Sequence, residues 1–175
     1  MRHVRRLWIM LLVASVLAIP QPIEGQVNLP WGDKSMPFGM VVSLGNRVRN
    51  DEMPTMIALM REAGVQWNRE EISWDEVQFA PNGPFRWNGN AAGFYNYDRA
   101  IQLQSDAGIK ILGLLDYNPA WFKSRNPHPD EWLSDWGDYV YATVSRYGRE
   151  KGQIKYWEIW NEPNLRFEWG DRAPD

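Results

Sequence analysis

Four short apolar segments, each pair joined by an amphipathic stretch, constrain what this chain can fold into more than any other feature. They are Phe38 to Val42 (FGMVV), Val65 to Arg69 (VQWNR), Ile109 to Leu115 (IKILGLL) and Ile154 to Trp160 (IKYWEIW). Between the first two, Asn50 or Asp51 stands where a helix cap belongs, with Pro54 in the first turn. Met53, Met56, Ile57, Met60 and Ala63 then recur at helical spacing. A second helix is predicted from about Asn96, burying Tyr97, Ala100, Ile101 and Leu103. A third begins near Pro129–Asp130, with Trp132, Leu133, Trp136, Tyr139, Val140, Val144 and Tyr147 as its apolar set. Ala63–Gly64 and Ala107–Gly108 close the first two helices, and Gly148 and Gly152 loosen the chain after the third. Alternating strands and helices imply a parallel sheet with right-handed crossovers. The nearly unbroken apolar run IKILGLL suits a strand covered on both faces. Rossmann and flavodoxin-like sheets share this grammar, but no GxGxxG follows the first strand.

The connection from Glu70 to Tyr95 is far longer than the usual two to six residues of a strand-to-helix loop. It holds Trp74, Phe85, Trp87 and Phe94 around a Pro81–Asn82–Gly83–Pro84 turn. The chain has 11 tryptophans. Indole rings fill cores, and they also stack on the apolar C–H faces of sugars, so composition alone leaves both uses open. A net charge of −3 gives no reason to expect a nucleic-acid partner. With no cysteine there are no disulfides or thiolate metal sites, and two histidines do not make a histidine-rich metal centre. No HExxH and no phosphate-cradling glycine loop is present, and no cofactor or metal is expected.

Residues 1–25 read as a secretory signal peptide. Arg2, Arg5 and Arg6 precede a 13-residue uncharged run from Leu7 to Ile19, and Gly25 supplies a small residue before Gln26. A membrane span wants about 20 residues, so the run fits cleavage better than a stable span, with an uncleaved anchor as the alternative. Removing this segment takes away three arginines and one glutamate, leaving 16 basic and 21 acidic residues and a charge of −5. The expected location is extracytoplasmic, either secreted or periplasmic, and residues 26–175 read as the N-terminal half of a single domain.

The chemistry is concentrated in Tyr156-Trp157-Glu158-Ile159-Trp160-Asn161-Glu162-Pro163-Asn164. An apolar strand ending in Asn-Glu-Pro places an amide and a carboxyl group at its C-terminal mouth, and Pro163 stops further pairing. With Trp67-Asn68-Arg69 ending the second strand and Asn118-Pro119-Ala120-Trp121 after the third, residues 36–170 resemble clan A of the glycoside hydrolases. The likeness is to its cellulase-like and β-xylosidase-like families. The resemblance implies an α/β fold, a (β/α)₈ TIM barrel, truncated here after about four βα units. It implies that Glu162 is the catalytic acid/base, that Asn161 hydrogen-bonds the sugar 2-OH, and that Arg69 supports the nucleophile electrostatically. It places Trp74 and Trp121 in loops that stack sugar rings.

The residues admit plainer readings beside these. Glu162 as a structural carboxylate, Arg69 as an ion-pair partner and Trp74 and Trp121 as core side chains are the alternatives. Glu158 is four residues from Glu162, roughly 13 Å along a strand at about 3.3 Å per residue. Retaining enzymes need two carboxylates about 5–5.5 Å apart, so Glu158 is not the partner and reads as a polar residue lower in the barrel. Asn161 and Glu162 have opposite strand parity, so a twist or bulge is needed if both are to reach one ligand.

In the resembled clan the nucleophile is a glutamate on a seventh strand, beyond this chain. The expected function is therefore that of an incomplete retaining hydrolase of β-linked poly- or oligosaccharides, inactive alone and needing no cofactor. A carbohydrate-binding half-barrel that self-associates through its exposed edges is the rival from another class. An exported, catalytically dead interaction protein is a third.

Overall fold

The computed structural model describes residues 38–121, 129–166 and 168. It divides the chain into two units, residues 1–35 and 36–175, and every described residue belongs to the second. The signal peptide expected over residues 1–25 lies outside the described residues.

The first strand is shorter than its apolar run because a side chain takes over its hydrogen bonding. Only Gly39–Met40 (β1) pairs with the next strand; the Val42 N–H donates instead to Asn68 Oδ1 at 2.9 Å. A short helix, Leu44–Arg47 (α1), and then Met53–Glu62 (α2) follow, with Pro54 in the first turn of α2 as expected. Met53, Ile57 and Met60 are buried, whereas Ala63 is exposed.

The second strand runs from Trp67 to Ser73 (β2), four residues past its expected end at Arg69. The two adjacent glutamates do not stop it, because they point to opposite faces and each finds donors there. The long connection therefore starts later than Glu70, and it opens with a helical turn, Trp74–Val77 (α3).

Tyr97–Asp106 (α4) is capped by the Asn96 side chain, which accepts from the Arg99 N–H at 3.0 Å. Lys110–Asp116 (β3) comes next, one residue later at each end than the apolar run suggested. Pro129–Val144 (α5) then continues without a break as a π-helical stretch, Ser145–Glu150, that passes straight through Gly148. Tyr139 and Tyr147 are buried as expected, but Leu133 is 63 % exposed. Tyr156–Ile159 (β4) closes the described elements.

All strands are parallel in the order β1-β2-β3-β4. The two Ala-Gly pairs explain how successive units repeat. Gly64 and Gly108 adopt φ of 76° and 74°. This left-handed turn lets the Val65 N–H reach Met60 O and the Ile109 N–H reach Gln104 O, each at 2.9 Å. Both are Schellman closures, which glycine makes without the Cβ penalty of other residues.

One face of the sheet packs on the helices. Ile72, Ile111 and Leu115 meet Trp74, Ile101, Tyr139 and Tyr147 in one apolar cluster; Leu44, Met53, Ile57 and Ile109 form another. The opposite face carries Arg69, Glu71, Leu112, Leu114 and Glu158, as the register Arg69↔Leu112↔Tyr156 and Glu71↔Leu114↔Glu158 requires. No helix among the described residues is long and apolar enough to cross a membrane.

Candidate functional site

Most of the strained backbone outside glycine gathers at one edge of the sheet. Outside glycine, positive φ occurs at Asn82 (55°) and Tyr95 (60°) in the long connection, and at Ser43 (47°), just beyond β1, Tyr117 (55°), immediately after β3, and Trp160 (65°) and Glu162 (43°), after β4. Bulky L-residues adopt this region at a cost of order 1–3 kcal/mol each. Such residues lie beyond the C-terminal ends of three of the four strands, the edge where parallel α/β sheets bind ligands.

At that edge the side chains of β2 and β4 are tied together. Arg69 donates through Nε to Glu158 Oε2 at 2.8 Å and through Nη2 to Glu158 Oε1 at 3.0 Å, a two-pronged fork. The same Nη2 donates to Asn161 Oδ1 at 3.0 Å. Hydrogen bonding to Arg69 holds Glu158 below the ordinary carboxylate range, and the same bond raises Arg69. Glu158 is thus on the same face as Arg69 and serves as its counter-ion, half-buried rather than deep.

The parity conflict between Asn161 and Glu162 is met by a left-handed turn rather than a bulge. The Trp160 N–H still pairs with Leu115 O at 2.8 Å, and its positive φ then swings Asn161 back onto Arg69. Trp160 itself is buried, its ring edge-on to Tyr117 and Trp136, with Nε1 donating to Glu168 O at 3.0 Å. Glu162 is exposed, and no side-chain hydrogen bond or ion pair holds it among the described residues. Glu168 bonds the Asn161 side chain; partial burial raises its pKa and the charge of Glu162 raises it further.

The two stacking candidates separate. Trp74 is not in a loop but opens α3, and it is fully buried, lying flat on Tyr139 at 5.5 Å with Trp121 and Trp136 against its edges. A ring with no exposed face stacks no sugar in this arrangement, so Trp74 is a core side chain. Trp121 is half-buried and donates from Nε1 to Gln78 O at 3.1 Å.

Three acids that sequence reasoning passed over lie on β2 and β3. Glu71 accepts from Asn46 Nδ2 at 2.5 Å and from Ser73 Oγ at 3.2 Å. Glu70, fully buried on the helix side, accepts from the backbone of Leu44 and Gly45 and from Asn68 and Gln104, at 2.6–2.9 Å. Burial pushes its pKa up to about 7 against the donors of Gly45, Leu44 and Gln104, and the charge of Glu71 adds to the rise. Asp116, at the end of β3, is buried, and burial pushes it to about 9, with the charge of Glu71 adding to the rise and Arg69 opposing it. The signal that would have found Asp116 is a single acid closing an apolar strand. Among the described residues no group of three or more histidine, aspartate or glutamate side chains is arranged to hold a metal ion.

No protein-family model and no curated relative matches the chain. Solved structures do. A family 39 glycoside hydrolase from Bacteroides cellulosilyticus WH2 superimposes with a TM-score of 0.56 and 21% identity, over 73% of this chain and 24% of its own. A beta-galactosidase from the psychrophilic Marinomonas ef1 gives 0.59 at 18% identity, over 75% of this chain and 22% of its own. The likeness is one of fold. The chain spans about a quarter of the length of these hydrolases, and its four parallel strands are consistent with part of a barrel.

Proposed function

We propose that this chain carries the acid/base half of a retaining β-glycoside hydrolase site, with Glu162 as the proton donor and acceptor. The observation that supports it most is the Arg69–Asn161 bond, which joins β2 and β4 at the sheet mouth directly beside Glu162. Asn161, oriented by Arg69, is the sugar 2-OH ligand, and the exposed Glu162 carboxyl protonates the leaving oxygen and then activates water. Glu158 fixes Arg69, whose Nη2 it shares with Asn161. The second carboxylate belongs to the seventh strand of the resembled barrel, outside the four strands present here. The substrate is a β-linked oligo- or polysaccharide, and no cofactor takes part.

The test is turnover by a polypeptide that contains this chain together with the remaining βα units. Glu162→Gln is expected to cut hydrolysis of unactivated β-glycosides by about 10²–10⁴-fold, the range for general acid–base help, while sparing activated aryl glycosides. Equal loss on both substrates, with no slow deglycosylation step, removes Glu162 from the role. A second reading has its own support. Val41, Tyr156 and Ile159 on or beside the two edge strands are 58–60 % exposed, which favours a half-barrel that binds sugar and self-associates through those edges.

A further inference from the structure

The strands begin around a second concave surface, far from the mouth at their ends. An open hollow of about 320 Å³ lies there, with Trp67, Ser105, Lys110, Ile111, Lys155 and Tyr156 among the residues lining it. Trp67 opens β2, Lys110 opens β3, and Lys155 directly precedes Tyr156, the first residue of β4. Trp67 and Ser73 mark the two ends of β2, roughly 20 Å apart at about 3.3 Å per residue. Parallel α/β sheets place their active sites at the C-terminal end of the strands, so this hollow is separate from the edge that holds Arg69, Asn161 and Glu162.

Its charge is opposite to that of the chain. The whole sequence carries −3, yet the lining holds two lysines and no acid. Neither lysine has an ion-pair partner among the described residues. Lys110 is nonetheless held in position, because its Nζ lies 5.3 Å from the centre of the Trp67 ring, within cation–π reach. Two exposed ammonium groups at the starts of neighbouring strands, with no counter-ion, attract an anion.

The rest of the lining says what the anion carries. Trp67 and Tyr156 pack with ring centres 5.3 Å apart, and Tyr156 is still 58% exposed. Ile109 and Ile111 add aliphatic carbon. A bare inorganic ion would leave this apolar surface in water, whereas a carboxylate on a flat ring covers it. The volume is at the lower end of the roughly 300–1,000 Å³ typical of ligand pockets, so the molecule is small.

We propose that this hollow binds a small aromatic carboxylate, with its ring against Tyr156 and its charge paired with the Lys110 and Lys155 ammonium groups. Such a ligand is chemically distinct from the sugar proposed for the mouth and binds independently of it.

The test titrates the 175-residue chain with benzoate, following ¹H–¹⁵N NMR shifts, against benzamide, acetate and inorganic phosphate. Benzoate is expected to shift the amides of Lys110, Lys155 and Tyr156 and to bind about tenfold or more tightly than each of the other three. The double variant Lys110→Met, Lys155→Met keeps the apolar stems and is expected to weaken benzoate about tenfold or more, with benzamide within about threefold of the parent. Equal affinity for benzamide, or an unchanged double variant, means that the lysines do not hold the ligand and overturns the proposal. Equal affinity for acetate or phosphate removes the ring contact and overturns it too. So does a failure of benzoate to bind, or binding whose shifts fall only at the mouth. If the double variant does not fold, Lys155→Met alone decides: about threefold or greater weakening supports the site, and unchanged affinity overturns it.

Discussion

Replacing Asn68 by aspartate changes one atom at the centre of the buried network that anchors strand one. The Asn68 Oδ1 acceptor for Val42 is retained, but Nδ2, which donates to Glu70 Oε2 at 2.9 Å and to Gln104 Oε1 at 2.7 Å, becomes an oxygen. Two carboxylates then face each other at contact distance. At an effective dielectric constant of about 20 the repulsion is roughly 6 kcal/mol. At acid pH the pair avoids it by holding one proton between them, as coupled acids do. Glu70 already titrates at about 7 because of burial. Its folded-state pKa lies above the ordinary value, so stability falls as pH rises from about 4.5 towards 7 even in the parent. The substitution adds a second raised acid and steepens that fall. Asn68→Asp should therefore cost only about 1–3 kcal/mol at pH 5, where the proton restores one of the two lost donations. At pH 8 it should cost about 4–6 kcal/mol, which is a Tm drop on the order of 10–20 °C for a domain of this size. Circular dichroism melts of both chains at the two pH values measure it. An equal drop at pH 5 and pH 8, or none at pH 8, would refute the account of Glu70 as a buried acid facing the Asn68 amide.

Arg69→Met should return the Glu158 carboxyl from its depressed value to the ordinary range, seen by ¹³C NMR titration, while Arg69→Lys restores the charge without the fork; an unmoved Glu158 would show that the fork is not what holds it down. The double variant Val41→Lys, Ile159→Lys places charge on both exposed edges and should shift the chain from associated species towards monomer in light scattering, whereas a monomeric parent would remove the self-association reading. Mass spectrometry of the exported protein should find an N-terminus near Gln26, and a cytoplasmic chain retaining Met1 would end the signal-peptide reading.

Much of the fold was legible because it depends on local pattern. The helical spacing of Met53, Ile57 and Met60 and the apolar run IKILGLL need only one element each to be read. The Ala-Gly closures at Gly64 and Gly108 are likewise set by a few adjacent residues. Strand ends were misjudged where a distant partner decides them. Val42 leaves its ladder for Asn68, 26 positions away, and β2 continues through Glu70 because the amides of Leu44 and Gly45 meet that carboxylate. Trp74 reads as a loop residue until the continued strand places it against Tyr139.

Sequence alone determined the order of strands and helices, their parallel pairing and the Asn161–Glu162 pair at the end of the fourth strand. Each follows from periodicity, chain connectivity or neighbouring residues. Tertiary structure decided which side chains meet. Arg69 finds Glu158 89 positions away and Asn161 92 away, through register across β3 and the left-handed turn at Trp160. It also left Asp116 and Asn118 buried without partners at the mouth. The reason is physical: spacing along a chain sets which face a residue takes, while charge pairing, burial and pKa depend on groups that only folding brings within reach.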